Sequence, residues 1–500
     1  MNVHSALSLP LDHDVLIVGA GISGISMAAH LQMLSPATRF SIVERRDKLG
    51  GTWDLFRYPG VRSDSDMHSL GFRFEPWTDD DAIADGSAIL AYLNRIVDER
   101  RIREHIAFGA RVVAADWHSE DARWHVVIQQ GAERQTVTTR VLYLGAGYYD
   151  YDSPYAPTFA GQEDFAGRIV HPQFWPDDLD YVGKRVVVIG SGATAITIVP
   201  AMAESAAHVT MLQRTPTWMG ARPSRDSLAN ALRKLLPEKL AYKLIRAKNI
   251  GLHSFLFKRM RARPDKAASY LTRKAKEALG PAWSAEDFTP PYNPWEQRLC
   301  LVPDGDLFEA VRGGRASVAT GTIERFEKDG VRLKSGELVP ADVIVTATGL
   351  ALTMSGKIAI TLDGKPIAWN RHYFYRGCMF SNVPNLFVVF GYLNASWTLR
   401  ADNTAEYACR VLNMMNERKV EVAAPVLPTD HDLVEDDVYA AFSSGYLKRA
   451  KSLMPKNADR LPWRLNMDYF EDRRDFRTRP IDDGVLSFEN ACSRIGARLT

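Results

Sequence analysis

Two glycine-rich segments have the residue spacing that lets a protein backbone approach the pyrophosphate of a dinucleotide. The first contains Gly19, Gly21 and Gly24, after an apolar run that begins at Asp14 and before a helical pattern that ends near Leu34. In such a strand–turn–helix unit the first glycine permits the tight turn, the second lets the backbone approach the phosphates, and the third lets the helix pack on the strand. The helix N-terminus adds free N–H groups and the positive end of its dipole. We therefore predict that a dinucleotide binds here.

An acidic side chain at the end of the next predicted strand indicates which dinucleotide binds. That strand covers 39–43, and Glu44 follows it, twenty positions after Gly24. A carboxylate at this point accepts a hydrogen bond from a ribose 2′-hydroxyl and repels a 2′-phosphate, so the site is predicted to take FAD or NAD. The alternative is a solvated strand end without a ligand, which the complete strand–helix–strand context disfavours.

A second glycine-rich segment has the opposite charge at the equivalent strand end. Gly190 and Gly192 repeat the spacing, and Thr194 precedes an alanine, Ala195, at the third glycine position. The strand that follows leads to Arg214 instead of an acid. A guanidinium there can hold a 2′-phosphate through charge-assisted hydrogen bonds. This second site is therefore predicted to bind NADPH.

Two such units in one chain, one for FAD and one for NADPH, predict hydride transfer from NADPH to a bound flavin. Flavin disulfide reductases share this design, but they need a pair of cysteines beside the flavin. The cysteines of this chain are too widely spaced to form a CxxC or CxxxxC pair: Cys300, Cys378, Cys409 and Cys492. We exclude that class and expect buried free thiols.

The loop region that follows the first helix combines glycine, aromatic and charged residues. Gly51, Thr52, Trp53, Tyr58 and Asp64 lie within fourteen positions of one another. Aromatic planes and flexible backbone of this kind suit a position against the isoalloxazine ring of a flavin. The alternative for Trp53 and Tyr58 is a plain core position, which is the commoner fate of such residues.

Two segments of the chain resemble a known family. The segment 165–176 has the pattern FxGxxxHxxxW followed by proline, and it resembles the signature of the type I Baeyer-Villiger monooxygenases, which are class B flavoprotein monooxygenases. The segment 50–64 resembles the second signature of that family, GGxWxxxxYPGxxxD. The similarity extends over essentially the whole chain, through 293–300, 346–349 and 394–399. Within the family the chain is most similar to the ethionamide-activating monooxygenase group.

The resemblance implies roles for residues that spacing alone does not single out. Arg298 matches the active-site arginine of the family, and Asp64 matches the carboxylate that orients it and meets the nicotinamide amide. Thr215 follows Arg214 in a segment whose counterpart contacts the phosphate of NADPH. The family places a lysine before the active-site arginine, whereas this chain has Gln297. That departure leaves more of the preference for NADPH to Arg214.

A histidine in the first signature is a tempting general base, because histidine titrates near neutral pH. The resemblance instead assigns His171 to a linker between domains, with a structural or hinge role. We therefore do not count it among the catalytic residues.

The resemblance also implies the reaction. NADPH reduces the flavin, O2 adds to form a flavin C4a-peroxide, and a ketone becomes an ester or lactone, with Arg298 stabilising the negative charge. The same oxidant in protonated form transfers oxygen to sulfides or thioamides. One alternative is an N- or S-oxygenase with little ketone activity. A second alternative, from another functional class, is a membrane-docked flavoprotein redox sensor.

Composition and the order of the patterns predict an α/β fold with two Rossmann-like dinucleotide-binding domains, for FAD and NADPH, and an inserted helical subdomain. The chain has 500 residues, of which 46% are hydrophobic and 24% charged, which is typical of two or three globular domains. We predict an FAD-binding domain from 1–150 and 353–500, an NADPH-binding domain from 151–222 and 295–352, and a helical insert over 223–294.

The predicted insert is strongly basic in a chain whose formal net charge is only +2. Residues 225–281 contain fifteen lysines and arginines against four acids, with an amphipathic pattern carried by Leu232, Leu235, Leu236, Leu240, Tyr242, Leu244 and Ile245. Such a helical segment can cap the active site inside the NADPH domain. Three interpretations of its charge stay open, namely a solvated surface, contact with an anionic membrane surface, and electrostatic steering of NADPH.

The remaining expectations concern partners and location. The segment before Asp14 lacks the features of a secretory signal, so we expect a cytoplasmic protein, with membrane association through the basic insert left open. The expected partners are a small ketone or sulfide and O2. Nothing in the sequence indicates nucleic acid binding or a metal site.

Overall fold

Two sheets organise the chain, one around each glycine-rich segment, and in each the strand before the glycine turn has parallel neighbours. The computed structural model describes residues 9–437 and 445–490, so Cys492 lies outside the described residues. The strands are β1 (Asp12–Val18), β2 (Phe40–Val43), β3 (Ile106–Ala107), β4 (Ala110–His118), β5 (Arg123–Gln130), β6 (Glu133–Leu144), β7 (Arg168–Val170), β8 (Arg185–Ile189), β9 (His208–Gln213), β10 (Met219–Arg222), β11 (Cys300–Pro303), β12 (Ala316–Thr320), β13 (Ile323–Glu327), β14 (Gly330–Leu333), β15 (Leu338–Pro340), β16 (Val343–Thr346), β17 (Ala359–Leu362), β18 (Lys365–Pro366), β19 (Phe374–Tyr375), β20 (Met379–Phe380), β21 (Leu386–Val388), β22 (Val422–Pro425) and β23 (Leu486–Glu489).

Helices cover both sheets and form a separate cluster between β10 and β11. They are α1 (Ile22–Leu34), α2 (Thr52–Leu55), α3 (Met67–Leu70), α4 (Gly86–Glu99), α5 (Ala193–Met202), α6 (Ser227–Leu235), α7 (Glu238–Ala262), α8 (Pro264–Leu279), α9 (Ala285–Phe288), α10 (Asp306–Arg312), α11 (Trp397–Arg418), α12 (Gly445–Ala450) and α13 (Tyr469–Thr478).

The larger sheet has the order β18-β17-β4-β5-β6-β1-β2-β3, and β21 also pairs with β6. Its core strand β1 pairs in parallel with β2 and β6, and its apolar run, Val15 to Val18, is buried because sheet neighbours and helices cover it. The second sheet has the order β12-β9-β8-β16-β7, and all of its pairs are parallel. The predicted α/β fold with two Rossmann-like units and an inserted helical subdomain is confirmed; the domain boundaries stay a prediction.

Each sheet has a sharp glycine turn between one strand, β1 or β8, and the helix that follows it. Gly19 has φ +97° and Gly190 has φ +135°, which L-residues with a side chain rarely adopt. A Cβ built on Gly24 would lie 1.8 Å from the backbone oxygen of Gly19, so only glycine lets α1 pack this closely on the turn. The second unit has the fully buried Ala195 at that position.

The helical insert docks on the unit that carries the first glycine turn. Tyr242 of α7 donates a hydrogen bond to the carbonyl of Phe72 at 2.9 Å. Arg246, one turn later, donates to the carbonyls of His68 and Gly71 at 2.8 and 2.7 Å. The buried guanidinium therefore satisfies the carbonyl groups at the end of α3.

The amphipathic pattern of the insert is only partly buried. Tyr242 and Ile245 are buried, as a core-facing stripe requires. Leu235, Leu240 and Leu244 are 78%, 45% and 45% exposed, so these three residues do not face the core. Helical periodicity predicted the helices correctly, but it could not show that these three leucines lie on an exposed face of the insert.

The apolar segments of the chain do not form membrane spans within the part that the structure describes. Across 9–437 and 445–490, none of the helices has both the length and the apolar character that crossing a bilayer requires.

Candidate active site

A large cleft with a volume of about 900 Å³ runs between the two sheets. It is lined by both glycine turns, by the loop 50–65, by the segment 145–159 that links the two units, and by residues around Arg298. Pockets for cofactors and small ligands commonly have this order of volume. The cleft therefore brings together regions that are distant in the sequence.

The first glycine turn and the end of β2 form one end of the cleft. Glu44 is only 4% exposed, and burial raises the pKa of its carboxyl group. Its two oxygens accept hydrogen bonds from the backbone N–H groups of Ala20 and Arg46, each at 2.8 Å. Each carboxylate oxygen has two lone pairs, so Glu44 can still accept a hydrogen bond from a ribose hydroxyl in the cleft.

Two glycine backbones meet beside this carboxylate. A Cβ built on Gly51 would lie 3.2 Å from Cα of Gly21, and Gly51 has φ +56°. The close approach leaves a side-chain-free strip of backbone along the cleft wall. Thr52 follows as the first residue of α2, so the N-terminus of this short helix also lines the cleft.

The two aromatic residues of this loop both line the cleft. Trp53 is half-buried and packs against the core below. Tyr58 is 9% exposed, and its hydroxyl lies beside Thr194 at the start of α5. Burial raises the pKa of Tyr58 to about 12, so its phenol stays protonated at physiological pH. The loop of the first unit thus contacts the glycine turn of the second.

The second glycine turn is open to the cleft. A Cβ built on Gly192 would meet no atom within 4 Å, so this backbone leaves room for a ligand. Gly190, Gly192 and Thr194 line the cleft, whereas Ala195 lies in the core behind them. Ala195 therefore contributes to the packing of α5, whereas Gly190, Gly192 and Thr194 face the cleft.

The end of β9 places a cation on the cleft wall. Arg214 is exposed, and Thr215 beside it accepts a hydrogen bond on its backbone oxygen from Ser191 at 3.1 Å. Gln213 is buried instead, and it donates to Thr320 and to the backbone oxygen of Asp287. The strand end thus presents Arg214 and Thr215 to the cleft and uses Gln213 for structure.

Arg214 differs from most other cations that line the cleft. Five of these cations pair with a carboxylate: Arg45 and Arg111 with Asp152, Arg62 with Asp306, Arg298 with Asp64, and Lys357 with Asp150. A sixth, Arg449, lies over the ring of Tyr155 at 3.4 Å. Arg214 has no carboxylate within 4 Å among the residues that the structure describes. Its charge is therefore available to an anionic ligand.

The structure places Arg298 and Asp64 in contact on the cleft wall. Nη2 of Arg298 lies 3.0 Å from Oδ2 of Asp64, and the two side chains are 37% and 42% exposed. The guanidinium stands just before β11, after a turn in which Trp295 has φ +69°. Helix α7 supports this turn, because His253 and Phe257 pack edge-on against the Trp295 ring. Gln297 also lines the cleft.

Sequence reasoning missed a group of tyrosines in the linker between the units. Tyr148 stacks on Trp397 with ring centroids 4.7 Å apart, and Trp397 donates to Ser23 of the first glycine turn at 2.9 Å. The hydroxyl of Tyr151 lies 3.5 Å from a Cβ built on Gly51, so this side chain also lines the cleft beside the first loop. The only signal in the sequence is the density of tyrosines at 148–155, which does not say where the linker runs.

His171 lies outside the cleft lining. Its Nδ1 accepts a hydrogen bond from the backbone N–H of Gln173 at 3.1 Å, and burial lowers its pKa. Gln173 in turn donates to the backbone oxygen of Asp150 at 2.7 Å. These contacts support a structural role for His171 in holding the linker, which stays a prediction.

Three features of the cleft fit two dinucleotides. The glycine backbones at Gly21 and Gly51 form a strip that a side chain would obstruct. The buried carboxylate of Glu44 offers an acceptor at the first strand end, and the uncompensated Arg214 offers a cation at the second. This donor and acceptor set matches a 2′-hydroxyl at one end and a 2′-phosphate at the other.

Comparison with known proteins identifies relatives over nearly the whole chain. A family model described as flavin-binding monooxygenase-like matches residues 12–231. The chain is 47% identical over 485 residues to the FAD-containing monooxygenase EthA of Mycobacterium tuberculosis, covering 97% of this chain and 99% of the relative. It is 45% identical over 486 residues to EthA of Mycolicibacterium smegmatis, covering 97% and 98%.

Solved structures share the fold at lower sequence identity. An oxidised steroid monooxygenase bound to NADP superposes with a TM-score of 0.78 at 22% identity, covering 96% of this chain and 100% of that one. A cyclohexanone monooxygenase bound to ε-caprolactone superposes with a TM-score of 0.74 at 22% identity, with the same coverage. The architecture described above is thus shared with these solved structures.

Proposed function

The chain belongs to the FAD-containing monooxygenases, and from that membership we propose that it uses NADPH and O2 to convert ketones to esters or lactones. The observation that carries this proposal is the contact between Arg298 and Asp64 on the wall of the cleft between the two glycine turns. The overall reaction places one oxygen atom of O2 beside the carbonyl carbon and releases the other as water. NADPH supplies the two electrons.

The two ends of the cleft hold the two cofactors in this proposal. Gly21, Gly51 and Thr52 present backbone N–H groups to FAD, Gly19 and Gly24 shape the turn that admits it, and Glu44 accepts from its ribose. When bound, FAD supplies the electron transfer and the oxygen chemistry that amino-acid side chains lack. Trp53 and Tyr58, on the loop that reaches the second turn, would hold the isoalloxazine ring.

The second end of the cleft is proposed to bind NADPH. Gly190, Gly192 and Thr194 leave room for the pyrophosphate at the start of α5. Arg214 and Thr215 hold the 2′-phosphate. Gln297 lines the cleft but carries no charge, so the discrimination against NADH rests mainly on Arg214.

Arg298 is the residue proposed to stabilise the reacting substrate. A guanidinium keeps its positive charge at every physiological pH, so it can stabilise negative charge on the carbonyl oxygen of the substrate. Asp64 positions the guanidinium through the 3.0 Å contact and offers its second oxygen to the nicotinamide amide. Neither role requires a proton to move at Arg298.

Sulfides and thioamides form a second proposed substrate class. The resemblance to the ethionamide-activating group and the 47% identity to EthA favour it. Electrophilic oxygen transfer to sulfur leaves no negative charge on a carbonyl oxygen, so it depends less on Arg298. An N- or S-oxygenase with little ketone activity is the corresponding alternative.

The test is the NADPH-dependent conversion of an aliphatic ketone, an aryl ketone and an aryl sulfide by the purified holoenzyme, with product and hydrogen peroxide both quantified. Ester from either ketone is the expected result. Sulfoxide as the sole product would support the heteroatom oxygenase instead. Hydrogen peroxide alone, with slow NADPH oxidation, would support the redox-sensor alternative.

A peripheral membrane contact is the second functional proposal, and an exposed stripe on α7 favours it. Leu240, Leu244 and Phe255 lie on one side of the helix and are 45%, 45% and 60% exposed. Lys243 and Arg259 flank this apolar stripe and are also exposed. An apolar stripe flanked by cations is typical of helices that lie on anionic lipid surfaces. We infer that the stripe docks on such a surface, and it lies on the same helix that supports the Arg298 turn.

Vesicle flotation tests the membrane contact. Phosphatidylglycerol vesicles should carry the protein upward at low salt, and high salt should release it, because exposed charges are screened. Replacing Leu240, Leu244 and Phe255 by serine should abolish flotation, whereas Val182→Ser, which removes another exposed apolar side chain, should not. Flotation that is equal for both variants, or absent for the unmodified protein, would reject the contact.

A further inference from the structure

Two histidines and two aspartates lie together at the tip of the hairpin formed by β4 and β5, on the outer part of the larger sheet. Asp116 and His118 belong to β4, His125 belongs to β5, and Asp121 lies in the turn between the strands. In the strand register Asp116 is opposite His125. Because side chains alternate along a strand, Asp116, His118 and His125 point to the same face of the hairpin.

The side chains in this cluster are in direct contact. The imidazole rings of His118 and His125 stack with centroids 3.9 Å apart and an interplanar angle of 14°. Nε2 of His125 lies 2.7 Å from Oδ2 of Asp121, and Nε2 of His118 lies 3.1 Å from Oδ2 of Asp116. His118, Asp121 and His125 each offer one potential ligand atom, and these three atoms all lie within 4.8 Å of one another.

The scaffold beneath the cluster is rigid. Trp117 and Trp124 are the next residues along the two strands, point to the opposite face, and are buried with ring centroids 5.6 Å apart. The turn is also tied to the neighbouring strand pair, because Ser119 donates to Asp363 from both its backbone and its hydroxyl, at 2.8 and 2.9 Å. The ligand side chains can therefore turn while the backbone that carries them stays in place.

We propose that His118, His125 and Asp121 bind a divalent transition metal of the Zn²⁺ class. Imidazole and carboxylate together suit Zn²⁺, Ni²⁺ and Cu²⁺, whereas Mg²⁺ and Ca²⁺ need oxygen ligands alone. Ligand atoms at roughly 2.1 Å from a tetrahedral Zn²⁺ lie about 3.4 Å apart, so closing the group around the ion needs side-chain movements on the order of 1 Å. The exposed side of the cluster leaves further coordination positions to water.

The surroundings permit a cation at this position. Arg123 is opposite His118 in the register, but its guanidinium turns away, donating to the backbone oxygen of Ala122 at 3.2 Å and lying 3.9 Å from Asp12. Asp116 is held by hydrogen bonds from Thr361 and Gly364, so it stays in place when His118 turns toward the ion. Its negative charge beside the site favours a bound cation.

A metal ion bound at this site would stabilise the hairpin and would not affect the reaction in the cleft. Arg111 lines the cleft at the other end of β4, and His118 lies seven residues further along, or roughly 23 Å at 3.3 Å per residue. A bound ion would link β4, β5 and their turn. Because the ion binds only the folded hairpin, it should raise the melting temperature without changing turnover.

The experiment uses the full-length FAD-loaded protein, purified without a polyhistidine tag, stripped with EDTA and titrated with Zn²⁺ against a chromophoric chelator at pH 7.5. One Zn²⁺ should bind per chain, and Co²⁺ should give the visible absorption of a site with nitrogen ligands. His118→Asn and His125→Asn should each weaken binding by roughly ten- to a hundredfold. His105→Asn, which removes an exposed histidine whose ring is tilted by 30° against that of Phe40, should leave binding unchanged.

Melting temperatures show whether a variant that binds no metal is still folded. The melting temperatures of His118→Asn and His125→Asn in EDTA should equal that of the unmodified protein in EDTA, and only the unmodified protein and His105→Asn should gain stability with Zn²⁺. The proposal is overturned if stoichiometric binding is absent, or if binding and the gain in melting temperature persist in the double variant His118→Asn/His125→Asn. Neither outcome bears on the proposed oxygenation.

Discussion

Arg298 and Asp64 form an ion pair across the wall of the cleft, with Nη2 3.0 Å from Oδ2. The two side chains are 37% and 42% exposed, and ion pairs this accessible contribute only about 0–1 kcal/mol to stability. The pair therefore contributes little to holding the fold, and its value lies in presenting an oriented guanidinium to the cleft. Variants at this pair should fold and keep FAD, so their effect on the chemistry can be measured directly.

Replacing Arg298 by alanine should remove ketone oxygenation. Loss of one preorganised donor to a developing oxyanion typically lowers kcat by about 10²–10³. We expect ester yield to fall by that factor while FAD content and melting temperature stay unchanged, as measured by product chromatography, absorbance and thermal unfolding. Arg62→Ala, which removes another ion-paired cation of the cleft, serves as the matched control. Normal ester formation by Arg298→Ala would reject the assigned role.

Replacing Arg214 by glutamine should reduce the preference for NADPH. Charge-assisted hydrogen bonds contribute about 1.5–3 kcal/mol, so KM for NADPH should rise by roughly ten- to a hundredfold, whereas KM for NADH should change little. Gln297→Lys should lower KM for NADPH, because it adds a second cation on the same cleft. Steady-state kinetics with NADPH and with NADH measure these changes in KM. Equal losses with NADPH and NADH would show that Arg214 does not read the 2′-phosphate.

The two glycine turns should respond differently to alanine. A Cβ at position 24 would lie 1.8 Å from the backbone oxygen of Gly19, so Gly24→Ala must displace α1 from the turn and should yield little soluble, FAD-loaded protein. A Cβ at position 192 meets no atom within 4 Å, so Gly192→Ala should fold and bind FAD normally. The added methyl group should weaken only the binding of NADPH, which a titration with NADPH measures. A folded, yellow Gly24→Ala protein would contradict the packing argument.

The hydroxyl of Tyr58 links the first loop to the second glycine turn, and its removal should loosen that link. Tyr58→Phe loses the polar interaction of the hydroxyl with Thr194, which contributes at most about 1 kcal/mol of unfolding free energy. We expect a few-fold rise in KM for NADPH without loss of FAD. Because burial raises the pKa of Tyr58 to about 12, the pH–rate profiles of both proteins should coincide up to pH 10. A basic limb lost only in Tyr58→Phe would assign the phenol a proton-transfer role.

Asp472 should make the protein less stable as the pH rises from about 4 to 6. This carboxyl is buried beside Arg400 and Tyr392, and burial raises its pKa to about 6 from an ordinary value of 3.8. Between those values the folded state binds more protons than the unfolded state, so the free energy of unfolding falls with rising pH. The full effect is about 3 kcal/mol, at 1.36 kcal/mol per pKa unit.

Chemical denaturation between pH 4 and 7 tests this. The unfolding free energy of the unmodified protein, minus that of Asp472→Asn, should decrease across the window. Glu309→Gln, which removes an acid on the exposed side of α10, should show no such pH dependence. A difference that stays flat from pH 4 to 7 would mean that Asp472 is ionised throughout.

Local patterns in the sequence predicted the elements that build the cleft. The strand–turn–helix units around Gly19 and Gly190 follow from apolar runs and glycine spacing, and both form as predicted. Glu44 and Arg214 follow from their positions at strand ends, because the end of a strand in such a unit always faces the dinucleotide. A strand and the helix after it make mostly local contacts, so neighbouring residues largely determine them.

Contacts between distant segments were decided only by the tertiary structure. The resemblance named Arg298 and Asp64, but their 3.0 Å contact depends on α7 packing behind Trp295. The exposed position of Leu240 depends on which elements lie beside the insert, and the clustering of His118 and His125 depends on strand register. Hydrophobic periodicity indicates that one face of a helix is apolar, but it does not indicate which element, if any, covers that face. The position of each side chain relative to a distant partner is set by the packing of whole elements, which no local pattern encodes.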